Sequence, residues 1–460
     1  MPKKFDILLI GLGPLPYEDG VSLAPGIRTW QFLQGIKDAY KVLLFTKYIG
    51  PDTPTGIKTI TQQNDYIHYS SSENFKVCGK FVSSLFEKYK FEAVIFSGST
   101  SLSILLDYVP FDLPLWFDLF GNVIAEGQVK SYAENDNFIV ENYINMELKA
   151  LNRADIFSVV STPQMYATIG ELALIGRLNK YTLGYEFCKV VPCSYFDDEK
   201  IFPKKVLRGI KVDYDDFVVL WSGGFNNWTD IKTLFFALEG AMKENPKIKF
   251  VATGGEIEGV SEKIYREFKN FIKHSKYKSN FILCGWVPKT HLPNYYLESD
   301  IAINIDKISY EPILGSRNRF LGWIKHDLPI LTTPLSEIAS ILADNEACFT
   351  FVPEDVDSLR ETLLHVASLP KVELKKVAMK AKEIFNSFFG IEETIYPLKE
   401  WLYFPQKAPD WRSRKNKQIT FIEKSKLKKL YADSRDLRLI REKKLFKLYK
   451  TIRKILKKEK

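Results

Sequence analysis

The sequence predicts an α/β protein built from two doubly wound parallel sheets that face each other, followed by a basic helical tail. Three observations predict it. Short apolar runs alternate with amphipathic helical runs almost throughout the chain, the mark of parallel strands joined by covering helices. The alternation breaks in the irregular stretch 193–214 and restarts at Phe217. At 460 residues the chain exceeds one ordinary core, which agrees with a division there. Glycine turns close several of the apolar runs, at the strand ends where open parallel sheets bind ligands.

In the first half, strands are expected at 5–10, 42–46, 93–97, 115–119, 157–161 and 189–191, with helices at 26–38, 82–89, 140–154 and 163–178. In the second, strands are expected from Phe217 and at 250–252, 281–284, 301–305, 330–332 and 348–352. Helices should begin near Thr229, Ser261, Lys289, Arg317, Ser336 and Asp355, and residues 373–402 read as helical. The expected division is 1–205, 206–385, a helical return to the first domain over 386–405, and a tail over 406–460.

Composition supports folded cores, with 45% hydrophobic and 14% aromatic residues. There is no run of eighteen or more apolar residues and no signal-like segment before the first strand, so a cytoplasmic protein is expected. Five cysteines and five histidines are scattered without CxxC, HxxxH or HExxH spacing, so neither a metal nor a disulfide framework is expected. The net charge of +9 is uneven: from Trp411 onward stand 20 Lys and Arg against 5 Asp and Glu, leaving 45 basic against 51 acidic residues in the body. In the tail, apolar residues at helical spacing (Leu437, Ile440, Leu445, Leu448, Ile452, Ile455) lie among the basic ones. That combination predicts an amphipathic helix over 422–460 that touches an anionic membrane surface; a partner helix or a nucleic-acid contact uses the same features. No basic patch with base-stacking spacing marks the body, and no nucleic acid is expected.

Candidate functional residues gather at strand ends. Glu311, in Glu311-Pro312-Ile313-Leu314-Gly315-Ser316-Arg317-Asn318-Arg319, follows an apolar strand and precedes a helix. A carboxylate there can accept hydrogen bonds from sugar hydroxyls, and Arg317 and Arg319 can clamp a diphosphate through charge-assisted forks. Gly223, Gly224 and Asn226 end the Phe217 strand, and Gly254 and Gly255 end the next, so their amides can approach phosphate or simply form tight turns. Neither loop is a P-loop, because GKS or GKT is missing. Trp286 and Val287 offer backbone and an apolar surface to a nucleobase, or else pack a loop. In the first half, Gly11 and Gly13, with Gly26-Ile27-Arg28 opening the next helix, suggest a phosphate turn or a plain tight one. Pro16 and Thr46-Lys47 break the dinucleotide fingerprint. Asp118, at a strand end, can bind an acceptor hydroxyl or take its proton, or can cap a helix.

In this order the motifs resemble GT-B glycosyltransferases, and among them the retaining group-1 or family-4-like enzymes that build bacterial surface polysaccharides. The resemblance spans nearly the whole chain apart from the tail, and its strongest part is Gly223-Gly224, Gly254-Gly255, Gly285-Trp286-Val287, Ser299-Asp300-Ile301 and Glu311 to Thr333. It implies an acceptor held by the first domain and a nucleotide sugar held by the second, with no metal and no further cofactor. It implies transfer to a saccharide or lipid-linked acceptor. Two departures stand out: Arg319 occupies the place of the family's second, ribose-binding glutamate, and the 223–230 loop lacks the family's usual Arg and Lys. Arg317 and Arg319 are expected to restore that charge. A sugar-nucleotide 2-epimerase or a non-catalytic scaffold on the same fold are the alternatives.

Overall fold

The computed structural model describes residues 3–18, 23–49, 55–194, 203–256 and 262–414. The tail expected over 422–460 lies outside the described residues. The first half carries β1 (Lys3–Lys4), β2 (Ile7–Gly13), β3 (Val42–Tyr48), β4 (Ile57–Gln62), β5 (Tyr66–Ser71), β6 (Tyr89–Lys90), β7 (Ala93–Phe96), β8 (Leu115–Leu119), β9 (Ile156–Val159) and β10 (Cys188–Val190). Eight of these form one sheet in the order β10-β9-β8-β7-β2-β3-β5-β4, while β1 pairs with β6 alone. Only the β4–β5 pairing is antiparallel. The central strands β2, β7 and β8 are buried along their whole length, as strands covered on both faces must be.

The second half carries β11 (Phe217–Ser222), β12 (Ile248–Thr253), β13 (Phe281–Leu283), β14 (Ile301–Asn304), β15 (Ile330–Thr332) and β16 (Phe349–Thr350). They form an all-parallel sheet in the order β13-β12-β11-β14-β15-β16. The order reverses between β11 and β14, and this switch point opens a crevice beyond the strands' carboxyl ends.

Several elements depart from the sequence expectation, two of them for a clear reason in their composition. The hairpin β4–β5 was not anticipated: β4 is mostly exposed and polar at the sheet's edge, so its apolar pattern is weak. Helix Val123–Glu134 likewise lacks a strong apolar stripe, and Asn122 caps it by accepting from the Ala125 amide at 2.9 Å.

Helix Ile391–Tyr403 lies against helix Ala24–Ile36 of the first half. A Cβ on Gly35 would meet Ile395 at 2.4 Å, so glycine permits this approach. Gln31 also donates to Thr394 at 3.2 Å. The halves touch near the crevice as well: the Ser161 hydroxyl donates to the Leu314 carbonyl at 2.9 Å, and the Thr162 amide to Glu337 at 3.0 Å. Among the described residues no helix is long and apolar enough to cross a membrane.

Candidate active site at the carboxyl edge of the second sheet

The loops after β11 and β12 are built on each other. The Gly223 amide donates to the Thr253 carbonyl at 3.0 Å, and the Phe225 amide to the Gly255 carbonyl at 3.0 Å. Gly223 and Gly254 have φ of +95° and +155°, and a Cβ on Gly254 would lie 2.1 Å from the Gly223 carbonyl oxygen. Gly254 thus needs glycine for the loop contact, and Gly223, whose Cβ would meet open space, for its left-handed backbone. Phe225 is fully buried and stacks on Trp221 at 4.7 Å. Asn226, half-buried, closes the turn by accepting the Thr229 amide at 2.9 Å. The helix that follows, Ile231–Glu244, is capped by the Asp230 carboxylate, which accepts from the Thr233 amide at 3.2 Å. Its N-terminus therefore already faces an anionic side chain.

The two arginines separate into different roles. Arg317 is buried between two carboxylates: its Nε donates to Asp306 at 2.8 Å and its Nη2 to Glu311 at 2.8 Å. Both charges around it are spent on that pairing. The expectation that Arg317 clamps a diphosphate is therefore corrected; it holds Glu311 and the loop after β14 in place. Arg319 is different. Its guanidinium carbon lies 4.0 Å above the Trp221 ring, and its Nη2 donates to the Gly224 carbonyl at 3.2 Å. Its Nη1 is buried without a hydrogen-bond partner among the described residues. Burial draws its pKa down to about 10, which leaves it cationic at neutral pH. One charged donor thus remains unmet at the switch point.

Glu311 lies in the first turn of the short helix Tyr310–Leu314. Burial pushes its carboxyl up to about 7, against the opposing pull of Arg317. Trp286 stands on the rim, 42% exposed, with its indole Nε1 donating to the Glu256 carbonyl at 2.9 Å, while Val287 packs half-buried against the core. Glu311, Arg319, Gly223, Gly224, Asn226, Gly254, Gly255, Trp286 and Val287 accordingly share one edge of the second sheet, on loops following β11 to β14.

The first-half candidates do not join them. Gly11 and Gly13 lie inside β2, paired with Thr46 and Tyr48 of β3 rather than in a turn. A Cβ on Gly11 would meet Thr29 at 2.2 Å, so glycine here permits the packing of helix Ala24–Ile36 on the strand. Asp118 is fully buried. It accepts from Arg28 Nε and Nη2 at 3.0 and 2.8 Å, from the Ser158 hydroxyl at 2.7 Å and from the Gly98 amide at 3.3 Å. Its expected part in acceptor chemistry is corrected too: no lone-pair direction is left toward solvent, and Asn122, not Asp118, caps the next helix. Arg28 donates further to the Val191 and Pro192 carbonyls, tying the end of the first sheet to the chain that leaves it.

Lys307 is the residue that sequence reasoning missed. Its backbone amide donates to the Trp228 carbonyl at 2.8 Å and its Nζ to the Asn227 carbonyl at 3.1 Å, joining the loops after β11 and β14. It borders a cavity of about 860 Å³ that Gln128 and Tyr132 of the first half line opposite Asn227 and Lys232 of the second. No spacing rule marks it, because the loop it binds lies some 80 residues earlier.

Among the described residues, the acidic group close enough to share an ion is Asp213, Asp215 and Asp216. It precedes β11, at the opposite edge of the sheet, and Asp215 is paired with Lys247.

Residues 216–368 match the family model of group 1 glycosyl transferases. The chain matches no curated protein by sequence. Its fold matches solved structures at low identity. A sucrose-phosphate synthase from Thermosynechococcus elongatus superposes with a TM-score of 0.62 at 14% identity, covering 87% of this chain and 99% of that one. A trehalose-6-phosphate protein from E. coli bound with UDP-2-fluoro glucose gives 0.63 at 10%, covering 88% and 100%. A trehalose-phosphate synthase from Burkholderia xenovorans in complex with glucose-6-phosphate gives 0.62 at 9%, covering 86% and 100%. The fold is GT-B, two parallel-dominated α/β sheets around a crevice. The protein is a glycosyltransferase, with a group 1 glycosyl transferase domain in its second half.

Proposed function

We propose that this enzyme transfers a sugar from a nucleoside diphosphate sugar to a saccharide or lipid-linked acceptor, with retention of anomeric configuration and without a metal or further cofactor. The observation that carries the reading is the unmet Nη1 of Arg319, held on Trp221 beside the Gly223-Gly224 turn at the switch point. Charge builds on the diphosphate as the glycosidic bond breaks, and a preorganised cation in a shielded crevice stabilises it. Glu311 is suited to hold donor-sugar hydroxyls, with Arg317 fixing its orientation. Trp286 and Val287 offer a surface for the base. Retention and the metal-free route rest on the resemblance to group-1 enzymes.

A place in surface polysaccharide assembly at the cytoplasmic face of a membrane agrees with the basic amphipathic sequence of 422–460. The donor panel begins with uridine diphosphate sugars, since a structural relative was solved with UDP-2-fluoro glucose. The test is to incubate the protein with each nucleotide sugar and measure released nucleoside diphosphate and sugar. Slow hydrolysis of at least one donor supports transfer, interconversion of epimers points to the epimerase, and inertness toward the whole panel points to the scaffold.

A further inference from the structure

A second concave site lies away from the crevice, on the first half of the molecule. It is a groove of about 620 Å³ between helix Ala24–Ile36 and the turn of the β4–β5 hairpin, a volume in the range of small-ligand sites. The hairpin turn lies beside Val42, the first residue of β3, so the groove opens toward the amino edge of the sheet, opposite the strand ends that form the crevice.

Three aromatic side chains, Tyr17, Trp30 and Tyr66, line the groove together with Gln34, Gln63 and Asn64. The rings are held rigidly. Tyr17 meets Trp30 edge-on at 5.2 Å, and its hydroxyl bonds His68 Nδ1 at 2.6 Å and the Tyr66 hydroxyl at 3.1 Å. His68 Nε2 in turn bonds the Thr46 hydroxyl at 2.8 Å. Burial holds His68 down to about 3 and raises Tyr66 to about 12, so the network keeps one protonation state through the neutral range. Gln34 Nε2 is buried on the groove wall with no hydrogen-bond partner among the described residues. A buried donor of this kind calls for an acceptor from outside. The bordering charges are mixed: the Lys37 ammonium lies 5.8 Å from the Trp30 ring centroid, Asp38 and Asp65 are acidic, and Asp65 is itself paired with Lys41 at 2.9 Å.

Flat rings beside amide donors and acceptors, without a net charge, suit a neutral ligand that has both an apolar face and hydroxyls. A pyranose has both, whereas a phosphate or nucleotide would meet the Asp38 and Asp65 carboxylates beside the single Lys37 ammonium. We propose that this groove is a carbohydrate subsite that holds neutral sugar units of a long acceptor remote from the reacting unit. The inference rests on the saccharide-acceptor reading above and extends it to an acceptor of several residues.

The test uses the full chain with maltohexaose, cellohexaose, laminarihexaose and chitohexaose, read by saturation-transfer NMR and tryptophan fluorescence, alongside a donor-hydrolysis assay. At least one hexaose should bind in the millimolar range or tighter. Gln34→Leu and Asn64→Ala should weaken it at least fivefold with donor hydrolysis unchanged; Asn64 lies on the exposed turn, so this variant keeps the fold. Trp30→Leu should abolish the fluorescence change. Absence of binding by all four hexaoses, or equal binding by wild type and both polar variants, overturns the subsite. Binding at the groove by a protein inert toward every nucleotide sugar would retain the subsite and remove the transferase reading instead.

Discussion

The Arg319 guanidinium lies 4.0 Å above the Trp221 ring and donates to the Gly224 carbonyl at 3.2 Å, which places a cation on the loop that lacks the Arg and Lys expected from the family resemblance. Arg319 comes from a helix start 95 residues further along the chain than Gly224. Arg317, two positions before it, is neutralised by Asp306 and Glu311.

Arg319→Ala should weaken nucleoside diphosphate binding by about 1.5 to 3 kcal/mol, the value of a charge-assisted hydrogen bond, with little change in melting temperature. Arg317→Ala should act mainly on folding, because it leaves two carboxylates without their cation in a low-dielectric site, at a cost of about 3 to 5 kcal/mol. Calorimetric titration and thermal melts of both variants check the division. Wild-type nucleotide affinity in Arg319→Ala would remove the assignment.

Glu311 should impart a pH dependence to turnover. Only its carboxylate can accept from sugar hydroxyls without donating, and burial has raised the group to about 7. Turnover should rise with pH through that region and level off above it. Glu311→Gln should lose this rising limb and fall at least about a hundredfold in rate at pH 8, through loss of a charged contact and of orientation. A wild-type pH profile in that variant would assign the limb to another group.

Asp118→Ala should destabilise the protein by about 3 to 5 kcal/mol, since it strands the fully buried Arg28 guanidinium. Denaturant melts measure this. A normally stable Asp118→Ala protein with impaired transfer would return Asp118 to the chemistry.

Glu147 should make stability fall as pH rises. It is buried, and burial with the neighbouring Glu171 charge raises its pKa well above the ordinary value, against the smaller opposing effect of the Thr100 hydroxyl. The folded state then keeps a proton that the unfolded chain has lost. The stability present below about pH 4.3 declines at about 1.4 kcal/mol per pH unit until the folded group also ionises. Glu147→Gln should melt higher than wild type by a margin that widens as the pH rises above the ordinary carboxyl range. A margin independent of pH would mean that the side chain is not burdened in this way.

The basic tail should bind anionic vesicles. Full-length protein should co-sediment with phosphatidylserine-containing liposomes at low salt, less so at high salt, and a truncation ending at Arg414 should not, since each basic residue near such a surface contributes about 1 kcal/mol. Equal behaviour of the two proteins would remove the membrane reading while leaving the transferase untouched.

The sequence by itself determined the alternating architecture and most strand positions, because burial on both faces writes continuous apolar runs into β2, β8 and β11 that need no tertiary knowledge to find. It also marked Glu311 and the glycine turns, whose types and order are local. What only the tertiary structure decided is which charged groups remain free to meet a ligand. Arg28 and Asp118 look like crevice residues until a partner 90 positions away is seen to consume each of them. Arg317 and Arg319 look equivalent until Asp306 and Glu311 neutralise one, while the other rests on Trp221 with a donor to spare. Gly11 reads as a phosphate turn until Thr29 packs against it. Periodicity is fixed by neighbours along the chain, but pairing is settled by long-range packing, and in a desolvated interior that pairing determines whether a charge is structural or available.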